Sequence, residues 1–289
     1  MAAMRAGQAK DRLLIERKAK SPVMKWKSFF GSVWVLVMIC GSGCGSSERF
    51  KESPDLTGAF ERVVVVGTFV VRDAKTGALI GHDLERAGRR FVPASTFKIP
   101  NTLIGLETGV VQSVDEIFPY DGQPRMFPAW EKDMSLRQAL PASNVPVYQE
   151  LARRIGLEPM REAVKKLHYG NGDIGKVVDR FWLDGPLAIS ALEQVDFMKR
   201  LALSELPFSE NSMEAVREIT KIEEAGGNVL HGKTGWAIST VPHLGWFVGW
   251  VQRGDEIYPF ALNIDLSSEE DGAKRIPLAR ECLRLLGIY

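Results

Sequence analysis

The pattern along this chain predicts an α+β fold: one antiparallel sheet formed from both chain ends, helices packed on it, and an inserted helical lobe. Two observations carry this. Runs of β-branched and aromatic residues that read as strands cluster near residues 63–80 and again near 245–265. Apolar residues at helical spacing fill the stretch between them and return at the C-terminus. Strands grouped together, rather than alternating one by one with helices, argue for antiparallel pairing.

The elements follow in order. Val63-Val64-Val65-Val66 and Thr68-Phe69-Val70-Val71 are strand material, and Lys75-Thr76-Gly77 turns the chain into Ala78-Leu79-Ile80. Helical spacing runs from Ser95 to Thr108, with Gly109 as its stop, and from Ser143 to Ile155, ended by Gly156. Further helices are predicted from Pro159 to Leu167 and from Ile189 to Leu203. Gly245 to Gln252 and Ile257 to Asp265 are apolar and rich in Trp, Phe and Val. The turn Arg253-Gly254-Asp255-Glu256 between them reads as a hairpin. Lys274 to Leu286 closes the chain as a helix.

Residues 1–44 read as an N-terminal extension and secretory signal, 45–60 as a tether, and 61–289 as the folded domain. Lys25 and Lys27 precede an apolar run from Phe29 to Cys40, then small residues Gly41-Ser42-Gly43 and Cys44. A charged start, a short apolar centre and a small-residue cleavage site make a secretory signal. The run is short for a membrane span, which needs about 20 residues. Met24 fits the start of such a signal better than Met1. Gly41-Ser42-Gly43-Cys44 is also similar to a bacterial lipoprotein box, so simple cleavage and lipid anchoring at Cys44 both stay open. The expected location is beyond the inner membrane, in the periplasm, free or anchored. Cys40 and Cys44 belong to the signal, which leaves Cys282 without a disulfide partner, a small buried hydrophobe in a helix. A net charge of +1 does not suggest nucleic acid or a charged polymer as partner. The folded part is near the limit of about 250 residues for a single core.

The chemistry lies in three short motifs. Ser95-Thr96-Phe97-Lys98 is the only S-x-x-K in the chain, and it places a hydroxyl one helical turn from an amine. A serine needs a base to become a nucleophile, and a lysine serves only if its amine is kept neutral. Ser143-Asn144-Val145 and Lys233-Thr234-Gly235 follow in order. S-x-x-K with S-D-N and K-T-G marks serine β-lactamases and penicillin-binding proteins. Here the middle motif ends in an apolar residue. Tyr169-Gly170-Asn171 and Phe181-Trp182-Leu183 add two more elements. Together these residues resemble the class D β-lactamases (oxacillinases), from about Val63 to Ile288.

The resemblance implies a serine β-lactamase/penicillin-binding-protein-like fold and hydrolysis of penicillins and related β-lactams through an acyl-serine. It implies Ser95 as nucleophile and Lys98 as base after carbamylation to N6-carboxylysine, which calls for carbon dioxide or bicarbonate but no bound cofactor. Val145 would keep that group dry, and Trp182 would donate its indole N–H to it. The backbone N–H groups of Ser95 and Trp236 would form the oxyanion hole. Ser143 would pass a proton to the leaving nitrogen, with Lys233 tuning the field. Val145, Thr234, Gly235, Trp236 and Arg275 would hold the substrate, Thr234 and Arg275 at its carboxylate. Lys274 and Arg280 lie close to Arg275 in sequence, so a solvated helix charge is the competing reading there. Loops near Met126 and Trp130 and the segment after Trp236 would set β-lactam preference. The partners are small-molecule β-lactams, with no nucleic acid or protein partner. A β-lactam sensor domain that stays acylated, or a cell-wall transpeptidase or carboxypeptidase, are alternatives; the single short apolar segment and the chain's length favour the free enzyme.

Two matches point elsewhere. Lys75-Thr76-Gly77 repeats the K-T-G tripeptide, but between two strands a hairpin turn is its natural reading. Gly227-Asn228-Val229-Leu230-His231-Gly232-Lys233-Thr234 matches the phosphate-binding pattern G-x-x-x-x-G-K-[ST]. That chemistry needs a strand before it and a helix after it. Lys221 to Gly226 is polar and not strand-like, and the residues after Gly235 do not make a helix. The sequence holds no H-E-x-x-H and no Cys/His cluster with zinc spacing, so no metal mechanism is expected. His82, His168, His231 and His243 show no pairing with a serine, and read as structural or surface residues.

Overall fold

Seven strands pair in the order β1-β3-β2-β9-β8-β7-β6, so the sheet interleaves the two ends of the chain. This computed structural model describes residues 50–268 and 270–289, which fall in one compact unit. The N-terminal strands are β1 (Phe50–Glu52), β2 (Gly67–Arg72) and β3 (Leu79–His82). The C-terminal ones are β6 (Lys221–Ala225), β7 (Asn228–Ala237), β8 (His243–Arg253) and β9 (Glu256–Leu266). β2 joins the two sets by pairing antiparallel with β9, Gly67 opposite Ile264. β8 and β9 form the expected hairpin, with Arg253 opposite Glu256. Only β1 runs parallel to its neighbour, β3.

Helices cover both faces. On one side α1 (Pro54–Val63) and α9 (Asp271–Leu285) enclose a core that includes Leu56, Phe60, Phe247, Phe260, Leu278 and Leu283. Cys282 is buried there, its thiol pushed up to about 12 by burial. On the other side the inserted lobe packs a larger core. It comprises α2 (Leu84–Gly88), α3 (Lys98–Glu107), α4 (Leu136–Ala139), α5 (Val145–Ile155), α6 (Leu157–Lys166), α7 (Ala191–Ala202) and α8 (Glu210–Thr220). A two-stranded ribbon, β4 (Ile117–Phe118) with β5 (Met134–Ser135), lies within it.

Five expectations are corrected. The run Val63 to Val66 is not a strand: Val63 ends α1, Val64 turns at a φ of +54°, and Val64 and Val66 are exposed. β-branched content favours a strand only where a partner is in register, and pairing with β9 begins at Gly67. The stretch 45–60 is not all tether, because Phe50–Glu52 is a strand and α1 begins at Pro54 with Leu56, Ala59 and Phe60 buried. The polar run before Gly226 is a strand, β6, paired antiparallel with β7. It lies at the edge of the sheet, where charged side chains are tolerated and discourage further pairing. Finally, Ser143 stands outside α5, and α6 begins at Leu157 directly after Gly156, before Pro159. The signal, and with it Cys44, lies outside the described residues.

Candidate active site

The site forms where the inserted lobe meets the open edge of β7. β6 pairs with β7 only as far as His231, leaving residues 232–237 without a strand on that side among the described residues. The carbonyl of His231 lies against Gly249 of β8. Backbone polar groups of alternate residues point the same way, so Gly232, Thr234 and Trp236 turn theirs to the open edge. The N–H of Trp236 is therefore available to a ligand, as an oxyanion donor must be.

Ser95 reaches that edge on a tight 3-10 turn, Ala94–Phe97, which runs directly into α3. Ala94 adopts a φ of +49°, unusual for a residue with a side chain. Thr96 stitches the turn by donating its hydroxyl to the carbonyl of Pro93 at 2.8 Å. The helical continuation brings Lys98 under Ser95, with Nζ donating to Ser95 Oγ at 2.8 Å. Lys98 is completely buried. Burial, then the nearby charge of Lys233, holds its amine well below the usual lysine range. A neutral amine on this line can accept the serine proton instead of donating.

The second serine faces the second lysine. Ser143 has a φ of +54°, and Lys233 Nζ donates to its Oγ at 2.9 Å and to the carbonyl of Thr234 at 2.8 Å. Burial and the charge of Arg275 lower Lys233 to about 7. Asn144, the middle residue of the motif, caps α5: its Oδ1 accepts from the N–H of Val147 at 3.1 Å. Val145, the third residue, opens that helix.

The three neighbouring cations differ in what they touch. Lys274 pairs with Asp271 and Arg280 with Glu223. Arg275 instead donates to the carbonyls of Gly235 at 2.5 Å and Gly272 at 2.7 Å, and lies over the Trp236 ring at 5.4 Å. Burial lowers it to about 10. Arg275, Gly235 and Trp236 thus meet at the end of the strand that carries Lys233 and Thr234.

Trp182 is fully buried and stacks on Phe97, ring centres 5.5 Å apart. Its indole N–H is buried with no hydrogen-bond partner among the described residues. Tyr169-Gly170-Asn171 fixes the loop that presents it. Asn171 donates to the carbonyl of Pro186 at 2.8 Å and accepts from the N–H of Ala188 at 3.1 Å. A Cβ at Gly170 would fall 2.2 Å from the Ala188 carbonyl, at a φ of +57°, so only glycine closes this neck. Ser239, just after β7, donates to the carbonyl of Leu183 at 2.9 Å and ties the two rims together. Trp130 donates to the carbonyl of Ala142, beside Ser143, while Met126 is exposed.

Sequence reasoning passed over Tyr148, whose ring lies 5.3 Å from Lys98 Nζ, and Gln194, which donates to Thr96. Neither carries a motif signal; both are supplied by helices remote in sequence. The competing matches fall away. Lys75-Thr76-Gly77 is a hairpin turn, with Gly77 at a φ of +75°. The phosphate-loop match spans the β6–β7 turn and β7 itself, and the strand β8, not a helix, comes next. His231 is stacked on Trp250 and lowered to about 4 by burial.

The fold and site agree with a family model described as penicillin binding protein transpeptidase domain, which matches residues 67–284. β-Lactamase OXA-10 of Pseudomonas aeruginosa is 38% identical over 248 residues, covering 85% of this chain and 92% of its own. The class D β-lactamase FUS-1 (OXA-85) of Fusobacterium nucleatum subsp. polymorphum superposes with a TM-score of 0.80 at 46% identity, over 82% of this chain and 99% of its own. Regulatory protein BlaR1 of Bacillus licheniformis is 34% identical over 82% of this chain, but only 40% of its own length is matched. Within the penicillin-binding-protein type of domain, the chain belongs to the class D β-lactamase family.

Proposed function

We propose that this protein is a secreted, periplasmic class D serine β-lactamase. It opens the amide of penicillins and related β-lactams and so confers resistance to them. The observation that carries the reading is the bond between Ser95 Oγ and the buried amine of Lys98. The indole N–H of Trp182, whose ring stacks on Phe97 of the same motif, has no partner among the described residues. Buried donors are nearly always satisfied, so an unpaired one packed on the residue that precedes a buried lysine supports a place built for an acceptor. Carbon dioxide fits that place: a neutral amine adds it with loss of one proton, giving a carbamate, which supplies a carboxylate-like base. Lys98 would carry this group and Trp182 would donate to it, with Val145 and Leu183 limiting water.

The chain's own residues do the rest. Ser95 gives its proton toward Lys98 and its oxygen adds to the β-lactam carbonyl. The N–H groups of Ser95 and Trp236 receive the developing oxyanion; losing one such donor typically costs about 2.7–4 kcal/mol. The carbon–nitrogen bond breaks and Ser143 hands a proton to the leaving nitrogen, with Lys233 stabilising its oxygen. Thr234 and Arg275 hold the substrate carboxylate. The base at Lys98 then takes a proton from water, whose oxygen adds to the acyl carbonyl; the bond to Ser95 Oγ breaks, and Ser95 regains the proton from that base.

The test is hydrolysis of a chromogenic β-lactam with bicarbonate present, followed past one equivalent. Sustained turnover that is lost in Lys98→Ala is the expected result. A single stoichiometric burst would keep Ser95 as nucleophile but move the function to a sensor, the reading favoured by the likeness to a regulatory protein. A mature N-terminus with diacylglycerol on Cys44 would add a membrane anchor; an unmodified one would exclude it.

A further inference from the structure

We propose that Gln194 is a positioning residue for the nucleophile: by donating to Thr96, it holds the turn that sets Ser95 against the open edge of β7. The proposal rests on the reading of Ser95 as the acylating serine. It starts from the backbone of Ala94, whose φ of +49° is a conformation that residues with side chains leave unless their surroundings hold them. The turn is gripped from both ends. Upstream, Phe91 pairs with Ile189 through two backbone bonds of 2.9 and 2.8 Å, and the Trp246 indole donates to the carbonyl of Val92 at 2.9 Å. Downstream, the grip is Thr96.

The direction of the hydrogen bonds at Thr96 is fixed by counting protons. Its hydroxyl has one, given to the carbonyl of Pro93 at 2.8 Å. The contact of 2.9 Å from Gln194 Nε2 is therefore a bond that Gln194 donates. This orients the amide and leaves Oε1 facing the hydroxyl of Tyr169 at 3.5 Å. The tyrosine of the Tyr169-Gly170-Asn171 triplet, whose ring packs edge-on against Phe97, thus backs the same amide. Gln194 is fully buried on α7 among Val195, Phe197 and Met198. Packing alone would be served by an apolar side chain, because a buried amide costs stability unless it is bonded.

What the turn controls is the spacing between the two oxyanion donors. One is the N–H of Ser95, on the turn; the other is the N–H of Trp236, on β7. The two elements touch at Gly235, where a Cβ would lie 3.0 Å from the Pro93 carbonyl and 3.2 Å from Thr96 Cγ2. Thr96 and Pro93 are the atoms that Gln194 steadies. Releasing them lets the turn relax away from the strand and separates the donors.

The experiment is pre-steady-state acylation and deacylation by a chromogenic β-lactam in the full chain and in Gln194→Met, Thr96→Val, their double variant and Thr96→Ser. The expected result is a fall of roughly 10- to 100-fold in both rate constants for Gln194→Met, the scale of a slightly misplaced reacting group. Both steps fall because both pass through an oxyanion at the same donors. The non-covalent substrate Kd and the burst amplitude stay at the starting values. Thr96→Val falls by a similar factor, the double variant no further, and Thr96→Ser keeps the starting rates. Normal rate constants in Gln194→Met overturn the proposal, as does a loss that appears only as reduced burst amplitude, which reports a smaller folded fraction. Should Gln194→Met not fold, Thr96→Val removes the same bond from the other side, and normal rates there overturn the proposal equally. A starting chain that forms no acyl-enzyme sinks both this inference and the function beneath it; a starting chain that turns over beside unaffected variants sinks this inference alone.

Discussion

Two buried lysines lie close enough for the charge of one to act on the other. Lys98 is completely buried and its amine is held well below the usual range, first by burial and then by Lys233. A depressed lysine is neutral above its folded pKa and becomes an ammonium as the pH falls through it, and only the neutral amine adds carbon dioxide. Activity in carbon-dioxide-free buffer should therefore fall on acidification and return with bicarbonate. Trp182→Phe keeps the ring on Phe97 but removes the donor. It should raise the bicarbonate needed for half-maximal activity and slow deacylation more than acylation, read from burst kinetics and from the carbamate resonance with carbon-13-labelled bicarbonate. An unchanged bicarbonate requirement would remove Trp182 from that role. Lys233, lowered to about 7, carries its positive charge below that value and loses it above. For an anionic penicillin, kcat/KM, which reports the free enzyme, should fall as the pH rises past about 7, and bicarbonate should not relieve that limb. A flat profile from about 6 to 9 would contradict it.

At the scale of elements, each motif is a helix start or a strand edge. S-x-x-K lies on a 3-10 turn entering α3, S-N-V on the turn entering α5, and K-T-G on the unpaired part of β7. Asn144 shows how one motif residue serves structure while its neighbours serve the site. Its side chain caps α5 and its amide donates to Met134 Sδ at 3.4 Å. Loss of such a cap costs about 1 kcal/mol. Asn144→Ala should lower the denaturation midpoint accordingly and slow acylation through the Ser143 turn, whereas Asn144→Ser should recover most of the stability. An Asn144→Ala variant with unaltered stability would mean that the cap contributes nothing. The Tyr169-Gly170-Asn171 triplet is the same kind of device: its side-chain and backbone bonds close the loop that presents Trp182.

At the scale of the whole molecule, the site also depends on packing well away from it: the start of α9, with Gly272 and Arg275, reaches the end of β7, while the rest of the helix builds the opposite core. α9 packs on α1 and on β8 and β9, on the face away from the inserted lobe. Leu278 and Leu283 alone contribute about 3–6 kcal/mol by burial, against a total stability of about 5–15 kcal/mol. A chain ending at Leu266 also uncovers Phe247 and Phe260, and should lose cooperative unfolding and all activity by circular dichroism and β-lactam assay; a folded, active truncation would show that the inserted lobe and the strands suffice. Much of this was legible in the sequence. Motif order singled out Ser95, Lys98, Ser143 and Lys233 as candidates, and the structure brings Ser95 to Lys98 and Ser143 to Lys233. Apolar periodicity located α3, α5, α7, α9 and the β8–β9 hairpin, because each has a face that must be buried. Local pattern failed at Val63 to Val66, which reads as a strand and is a corner, and at Lys221 to Ala225, which reads as polar and is an edge strand. Both depend on which partner lies alongside. Only the tertiary structure gave Arg275 partners different from those of Lys274 and Arg280, left the Trp182 indole without a partner among the described residues, and brought Gln194 to Thr96. Those facts belong to contacts between segments far apart in the chain, where burial and the direction of a hydrogen bond are set by the neighbour and not by the local sequence.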